Sequence, residues 1–258
     1  MPAAASAPIR AALVTGGAQR IGREIVRALA RSGYAVAVHA RASAGEAEAL
    51  CAEIVAAGGR ARTVTADLAD HAAVLGLVGA AADAVGPLTL LVNNASEFQN
   101  DAIGGLDRAV FDRHMAVNLR APIFLADAFA AQAPSGADAS IVNLIDQRVY
   151  KPTPRFLSYG LSKSALHTAT TTLAQALAPR VRVNAVAPGP TLPSPRQDAA
   201  AFARQARAVP LGRGPSPEEI ADAVLYLAGA RSVTGETIAV DGGQRLAWQT
   251  LDAIGVEE

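Results

Sequence analysis

The chain has 258 residues, 51% of them hydrophobic, and its 23 Lys and Arg balance its 23 Asp and Glu. A formal charge of zero offers no long-range attraction to nucleic acid or an anionic membrane, and no apolar run is long enough to span a bilayer. The lone Cys51 excludes an intrachain disulfide and a cysteine-based metal cluster, and His39, His71, His114 and His167 lack ligand spacing, so no metal is expected. Residues 1–8 lack the basic start and long apolar core of a signal peptide and are expected to be a loose tail on a cytoplasmic protein.

The chain then repeats strand and helix without low-complexity linkers. Ala11–Thr15 is a short apolar run, followed by Gly16-Gly17 and a helix that turns Ile21, Ile25, Val26 and Leu29 inward. Tyr34–His39 reads as a second strand and Ser43–Ala57 as a second helix. Arg62–Ala66 leads into Asp67, and Asp70 caps a helix running to about Val85. Leu88–Val92 ends at Asn93-Asn94-Ala95-Ser96, and one long helix is expected from Asp107 to Ala133. Ile141–Ile145 precedes a helix running to about Ala178, and Val181–Ala187 is broken by Pro188-Gly189-Pro190. Residues 191–210 read as irregular or as a mobile helix pair forming a lid, before a helix over Pro217–Ala228 and a last strand over Thr237–Val240. Such alternation implies parallel pairing in one doubly wound α/β sheet, a single domain over residues 9–250 with a C-terminal tail at 251–258. Ligands of such a sheet sit at the strand carboxyl ends, where Thr15-Gly16, Arg41, Asp67, Asn94, Asp146 and Pro188-Gly189 all fall.

Thr15-Gly16-Gly17-Ala18-Gln19-Arg20-Ile21-Gly22 lies between first strand and first helix, where a phosphate-binding turn belongs. Gly16 permits the tight turn, Gly22 permits close helix packing, and the helix N-terminus faces a pyrophosphate. An NAD site would end the second strand with an acid for the ribose 2′-hydroxyl. Here the sequence is His39-Ala40-Arg41-Ala42-Ser43, with no acid before Glu46. Arg41 and Ser43 suit a 2′-phosphate, with Arg20 a second cation beside the pyrophosphate, so NADPH is expected.

The chemistry is expected in the stretch after Ile141. Tyr159 and Lys163, four residues apart on a helix, share one face. A neighbouring ammonium is expected to bring the phenol pKa down from about 10 toward working range. Lys151 and Lys163 are the only lysines in an arginine-rich chain, which marks Lys163 as chosen for a compact, rotatable charge.

The glycine turn, Asn93-Asn94-Ala95, Asn118, Tyr159-x-x-x-Lys163, Pro188-Gly189 and Val233-Thr234-Gly235…Asp241-Gly242-Gly243 together resemble the short-chain dehydrogenase/reductase family over residues 10–246. The resemblance implies a Rossmann domain of seven parallel strands in a homotetramer. It implies Tyr159 as proton donor, Lys163 on the nicotinamide ribose, and Asn118 supporting a water chain to the Lys. Two departures stand out. Arg20 replaces the middle glycine of the usual TGxxxGxG turn, and Asp146 occupies the place of the usual catalytic Ser, thirteen residues before the Tyr. Both are similar to the pteridine reductases and dihydromonapterin reductases of the family, as is Asn94-Ala95-Ser96-Glu97-Phe98, whose Ser touches and whose aromatic stacks on the pterin there.

The expected catalytic set is therefore Asp146, Tyr159, Lys163 and Asn118. Cofactor contacts are expected from Gly16, Gln19, Arg20, Ile21, His39, Arg41 and Ser43, and further along from Asp67, Leu68, Asn94, Ala95, Ser96, Tyr159, Lys163, Pro188 and Gly189. Arg20, Ser96, Phe98, Asp146, Tyr159 and Pro190 are expected to hold the substrate. The rival readings are a reductase of ketones or 3-oxoacyl thioesters and, from a different class, a non-catalytic NADP(H)-binding sensor.

Overall fold

A computed structural model describes residues 10–194 and 196–248, so the expected tails at 1–8 and 251–258 lie outside the described residues. Seven strands, β1 (Ala11–Val14), β2 (Ala35–Ala40), β3 (Arg60–Thr65), β4 (Leu90–Asn93), β5 (Ala139–Leu144), β6 (Val181–Pro188) and β7 (Thr237–Val240), form one sheet in the order β3-β2-β1-β4-β5-β6-β7. Every pairing is parallel. Strands β1, β2, β4 and β5 are buried at every position, the consequence of Ala- and Val-rich runs covered on both faces.

Helices α1 (Arg20–Arg31), α2 (Ala44–Ala56) and α8 (Pro217–Gly229) cover one face, where Ile25, Val26, Leu29, Leu50, Ile54 and Val224 meet Val14, Val36 and Val38. Helices α3 (His71–Val85), α5 (Ala121–Gln132) and α6 (Leu157–Leu177) cover the other, where Leu77, Leu125 and Phe129 meet Leu13, Leu91 and Ile141. The order reverses between β1 and β4, so the crevice past their ends is the switch point. There the Thr15 hydroxyl accepts the N–H groups of Asn94 and Ala95 at 3.0 Å each, tying the two strand ends together.

Two expectations need correction. The helix expected in one piece from Asp107 to Ala133 is α4 (Arg108–Met115), a π turn (Ala116–Arg120) and α5. Pro122 has no N–H for the carbonyl of Asn118 four residues back, so the α-helical ladder cannot continue unbroken. Among the described residues the stretch after Pro190 holds one helix, α7 (Ala199–Arg207), rather than a pair, started by Asp198, whose carboxylate accepts the Ala201 N–H at 2.6 Å.

Candidate active site

The turn after β1 is built for close approach. Gly16 has φ +61°, and a Cβ there would sit 2.9 Å from Ala95 Cα. A Cβ on Gly22 would sit 2.2 Å from the Gly16 carbonyl oxygen and 2.5 Å from Asn94 Nδ2, so only glycine fits. Asn94 Nδ2 donates to the carbonyls of Thr15 (2.9 Å) and Gly16 (3.0 Å), clamping the turn from β4. Arg20 keeps φ +53° at the position where the family pattern has glycine.

His39, expected as a cofactor contact, also holds this turn. Its Nδ1 accepts the Gly16 N–H at 3.1 Å, and its Nε2 lies 3.1 Å from the Ala66 carbonyl, which only an Nε2–H can satisfy. The ring is therefore neutral, and burial lowers its pKa accordingly. It shapes the cleft wall without offering a free donor.

A cleft of about 730 Å³ runs along the strand ends past Gly16, Gln19, Arg20, Ile21, His39, Arg41, Ser43, Asp67, Leu68, Asn94, Ala95 and Ser96. It gathers most of the expected cofactor set. Sequence reasoning missed Glu97 and Arg113 beside it. Arg113 donates from Nε to Glu97 at 2.8 Å and lies 3.4 Å from Asp67, while Arg41 stands half exposed, 3.8 Å from Glu97. Nothing in the local sequence pairs residues 41, 97 and 113; they meet only because β2, β4 and α4 converge.

An adjoining cleft of about 660 Å³ is lined by Arg20, Ser96, Phe98, Asp146, Tyr159, Lys163, Pro188, Gly189 and Pro190, and by the unforeseen Arg148, Phe156 and Arg196. Tyr159 OH donates to Asp146 Oδ2 at 2.8 Å, and Asp146 Oδ1 accepts the Arg148 N–H at 2.8 Å. The Arg148 guanidinium stands 3.8 Å from the same carboxylate. Lys163 Nζ donates to the Leu144 carbonyl at 2.7 Å and lies 6.0 Å from the Tyr159 ring centroid.

The expected tuning of the phenol is therefore reversed. Burial first, and then the charge and hydrogen bond of Asp146, push the Tyr159 phenol well above its ordinary value, against a weaker downward pull from Arg148. The Lys sits under the ring, tied to a backbone carbonyl, and burial brings its own pKa down to about 8. Tyr159 is a firmly protonated phenol with a carboxylate as its acceptor.

Asn118 is fully buried and makes no hydrogen bond to Lys163. Its Nδ2 donates to the Glu97 carbonyl and Ser162 Oγ, each at 3.0 Å, and its Oδ1 accepts the Glu97 N–H at 2.8 Å. The π turn thus presents a side chain that holds the backbone just before Phe98. Phe98 stacks on Phe156 (centroids 4.6 Å, planes 7° apart) and meets Tyr159 edge-on at 4.6 Å. Arg148 and Arg196 lie 5.0–6.0 Å from both stacked centroids, hence beside the pair rather than over an outer face. Phe156, like Arg20, has a left-handed backbone (φ +58°), and both line this cleft. Among the described residues no group of acids, histidines or cysteines is arranged to hold a metal.

The family profile for enoyl-(acyl carrier protein) reductases matches residues 16–245. The chain belongs to the short-chain dehydrogenase/reductase family. The crystal structure of the FolM alternative dihydrofolate reductase 1 of Brucella canis, complexed with NADP, superposes with a TM-score of 0.92 at 53% identity, covering 94% of this chain and 96% of that one. Pteridine reductase 1 of Leishmania tarentolae is 34% identical over 95% of this chain and 99% of its own length. L-xylulose reductase of Bos taurus is 36% identical over 91% and 96%. This oxidoreductase thus has relatives named for unlike substrates, and side chains rather than overall likeness must distinguish them.

The dinucleotide fits this reductase. The glycine turn leaves no room for side chains where a pyrophosphate would approach, α1 begins at its edge, and no acid ends β2. Among the described residues Lys163 has one hydrogen-bond acceptor for its three donors, and it borders the cleft of about 660 Å³.

Proposed function

We propose that this reductase uses NADPH to reduce a dihydropterin, adding hydride to a ring carbon and a proton to the neighbouring ring nitrogen. The observation that carries the reading is Asp146 within hydrogen-bond distance of Tyr159, where a carbonyl reductase of the family would have a Ser hydroxyl. A hydroxyl can donate to a carbonyl oxygen; a carboxylate accepts only, and so suits the donor-rich amino face of a pterin. The NADP complex of the Brucella canis protein and the name of the Leishmania relative support the same reading.

The glycine turn and the N-terminus of α1 would hold the pyrophosphate, Arg41 and Ser43 the 2′-phosphate, Asp67 and Leu68 the adenine, and Tyr159 and Lys163 the nicotinamide ribose. Bound NADPH supplies the hydride. Phe98, with Phe156 at its back, offers one ring face to a flat heterocycle, a contact worth about 0.5–1.5 kcal/mol beyond burial. Ser96 and Arg20 hold the edge of the ring. Tyr159 gives its proton to the ring nitrogen, and the phenolate left behind is met by Lys163 and Arg148; the Asp146 carboxylate accepts hydrogen bonds from the amino face of the substrate and afterwards relays a proton from solvent back to the phenolate. The segment from Thr191 to Pro210 is the lid, strapped by Arg20 to the Leu192 carbonyl and by Arg196 to the Phe98 carbonyl.

A homotetramer in the cytoplasm is part of this proposal, on the family resemblance. No helix among the described residues is long and apolar enough to cross a membrane. The test is NADPH consumption with a dihydropterin against a panel of ketones and acetoacetyl thioester. The pterin is expected to be favoured on the order of a hundredfold in kcat/KM. A preference for ketone or thioester would overturn the reading, and binding without turnover, unchanged by Tyr159→Phe, would make the chain a sensor.

A further inference from the structure

Behind Phe98 and Tyr159 lies a line of polar groups that the reaction does not use. Asp101 comes from the loop after β4, His114 from α4 and Ser158 from the first turn of α6. His114 and Ser158 are fully buried and Asp101 is 5% exposed. The Gln99 N–H meets His114 Nε2 at 3.0 Å, His114 Nδ1 meets Ser158 Oγ at 2.6 Å, and Ser158 Oγ meets the Asp101 carboxylate at 2.5 Å. The same carboxylate accepts the Ser158 N–H at 3.1 Å, and the Asp101 carbonyl accepts the Leu157 N–H at 3.2 Å.

The protons in this line have only one arrangement. A backbone N–H can only donate, so Nε2 must be the acceptor. Nδ1 then carries the hydrogen and gives it to Ser158, whose own hydrogen goes to Asp101. The trio is thus no hydrolytic triad, because Ser158 is buried and points its hydrogen at the acid. It joins the loop that carries Phe98, one residue before Gln99, to the helix that carries Tyr159, one residue after Ser158. Asn118 holds the other end of that loop.

We propose that His114 is a positioning residue for the substrate: as a neutral imidazole it fixes the distance between the Phe98 loop and the Tyr159 helix. This rests on the dihydropterin reading, since what is held in place is the Phe98 ring on which a flat substrate would stack and the Tyr159 hydroxyl that would protonate it. A proton on Nε2 would set N–H against the Gln99 N–H and release the loop. Burial lowers the His114 pKa against the upward pull of Asp101 and Glu97, the acids facing it from the loop. From α6 it faces Tyr159, at 6.1 Å between ring centroids, and Arg113 is its charged neighbour on α4. Release therefore belongs below the ordinary imidazole value of about 6.5.

The experiment measures the KM for the dihydropterin from about pH 5 to about 8, with NADPH affinity by nicotinamide fluorescence, for wild type, His114→Ala and His114→Gln. An amide offers a donor and an acceptor but does not titrate. Wild-type KM is expected to rise toward acid. His114→Gln should keep the neutral-pH KM within about threefold and lose that acid-side rise, whereas His114→Ala should raise KM roughly tenfold with NADPH affinity unchanged. The proposal is overturned if His114→Gln keeps the wild-type acid-side rise, or if His114→Ala loses NADPH affinity in step with KM. Should His114→Ala not fold, the His114→Gln profile decides alone. A wild type that does not turn over dihydropterin overturns the underlying reading and this inference with it.

Discussion

Arg20 holds a backbone conformation that costs a residue with a Cβ about 1–2 kcal/mol, at a position where its family pattern has glycine. Strain kept at a cleft wall points to a side chain used there. Arg20→Gly removes that strain at the cost of a more flexible unfolded chain. The variant is expected to melt no lower than wild type while KM for NADPH or substrate rises roughly tenfold; a lower Tm with unchanged KM would make Arg20 structural. Lys163 gives a second residue-scale expectation. Its pKa of about 8 means that the ammonium beneath Tyr159 is lost as pH rises through that value, so kcat/KM should fall on the alkaline side near there. Stability moves the other way. Between about 8 and the ordinary 10.5 the unfolded chain keeps a proton that the fold does not, so this group makes the fold relatively more stable as pH rises through that window. A flat activity profile up to the ordinary lysine range would contradict the role given to Lys163.

At the scale of elements, the glycine turn, α1 and β4 form one interlocked unit. The Gly22 Cα faces the Gly16 carbonyl and the Asn94 amide so closely that Gly22→Ala must push them apart. Overpacking of this kind costs about 1–3 kcal/mol, and here it also displaces the turn that would hold the pyrophosphate. Gly22→Ala is therefore expected to lower Tm by several degrees and to weaken NADPH binding at least tenfold, read by fluorescence titration. Unchanged affinity would mean that the turn does not bind the cofactor. The strands, their parallel pairing and the turn were legible in the sequence because each rests on a local signal: an apolar run, a Gly-Gly, an Asp at a helix start. The π turn at Asn118 was not read, although Pro122 announces a broken ladder inside an otherwise helical run. The link from Glu97 to Arg41 and Arg113, the stacking of Phe156 on Phe98, and the line from Asp101 to His114 have no local signal. They join residues distant in sequence. The tuning of Tyr159 differs from expectation for another reason: spacing along one helix puts Lys163 near the phenol, but burial, and then the Asp146 carboxylate at its hydroxyl, outweigh that ammonium.

Across the whole molecule, one parallel sheet delivers Gly16, Arg41, Asp67, Asn94, Asp146 and Gly189 to a single rim. The same framework is shared with relatives named for sugar and pterin substrates, at 34–36% identity. A scaffold so widely used cannot itself select the substrate; under the proposed reading the selection lies in the few side chains around Tyr159, and first in Asp146 just past β5. The most direct measurement is the ratio of kcat/KM for a dihydropterin to that for a simple ketone, in wild type and in Asp146→Ser. The substitution is expected to collapse this ratio on the order of a hundredfold, chiefly through loss of turnover with the pterin. A variant that keeps the wild-type ratio would show that Asp146 does not choose the substrate.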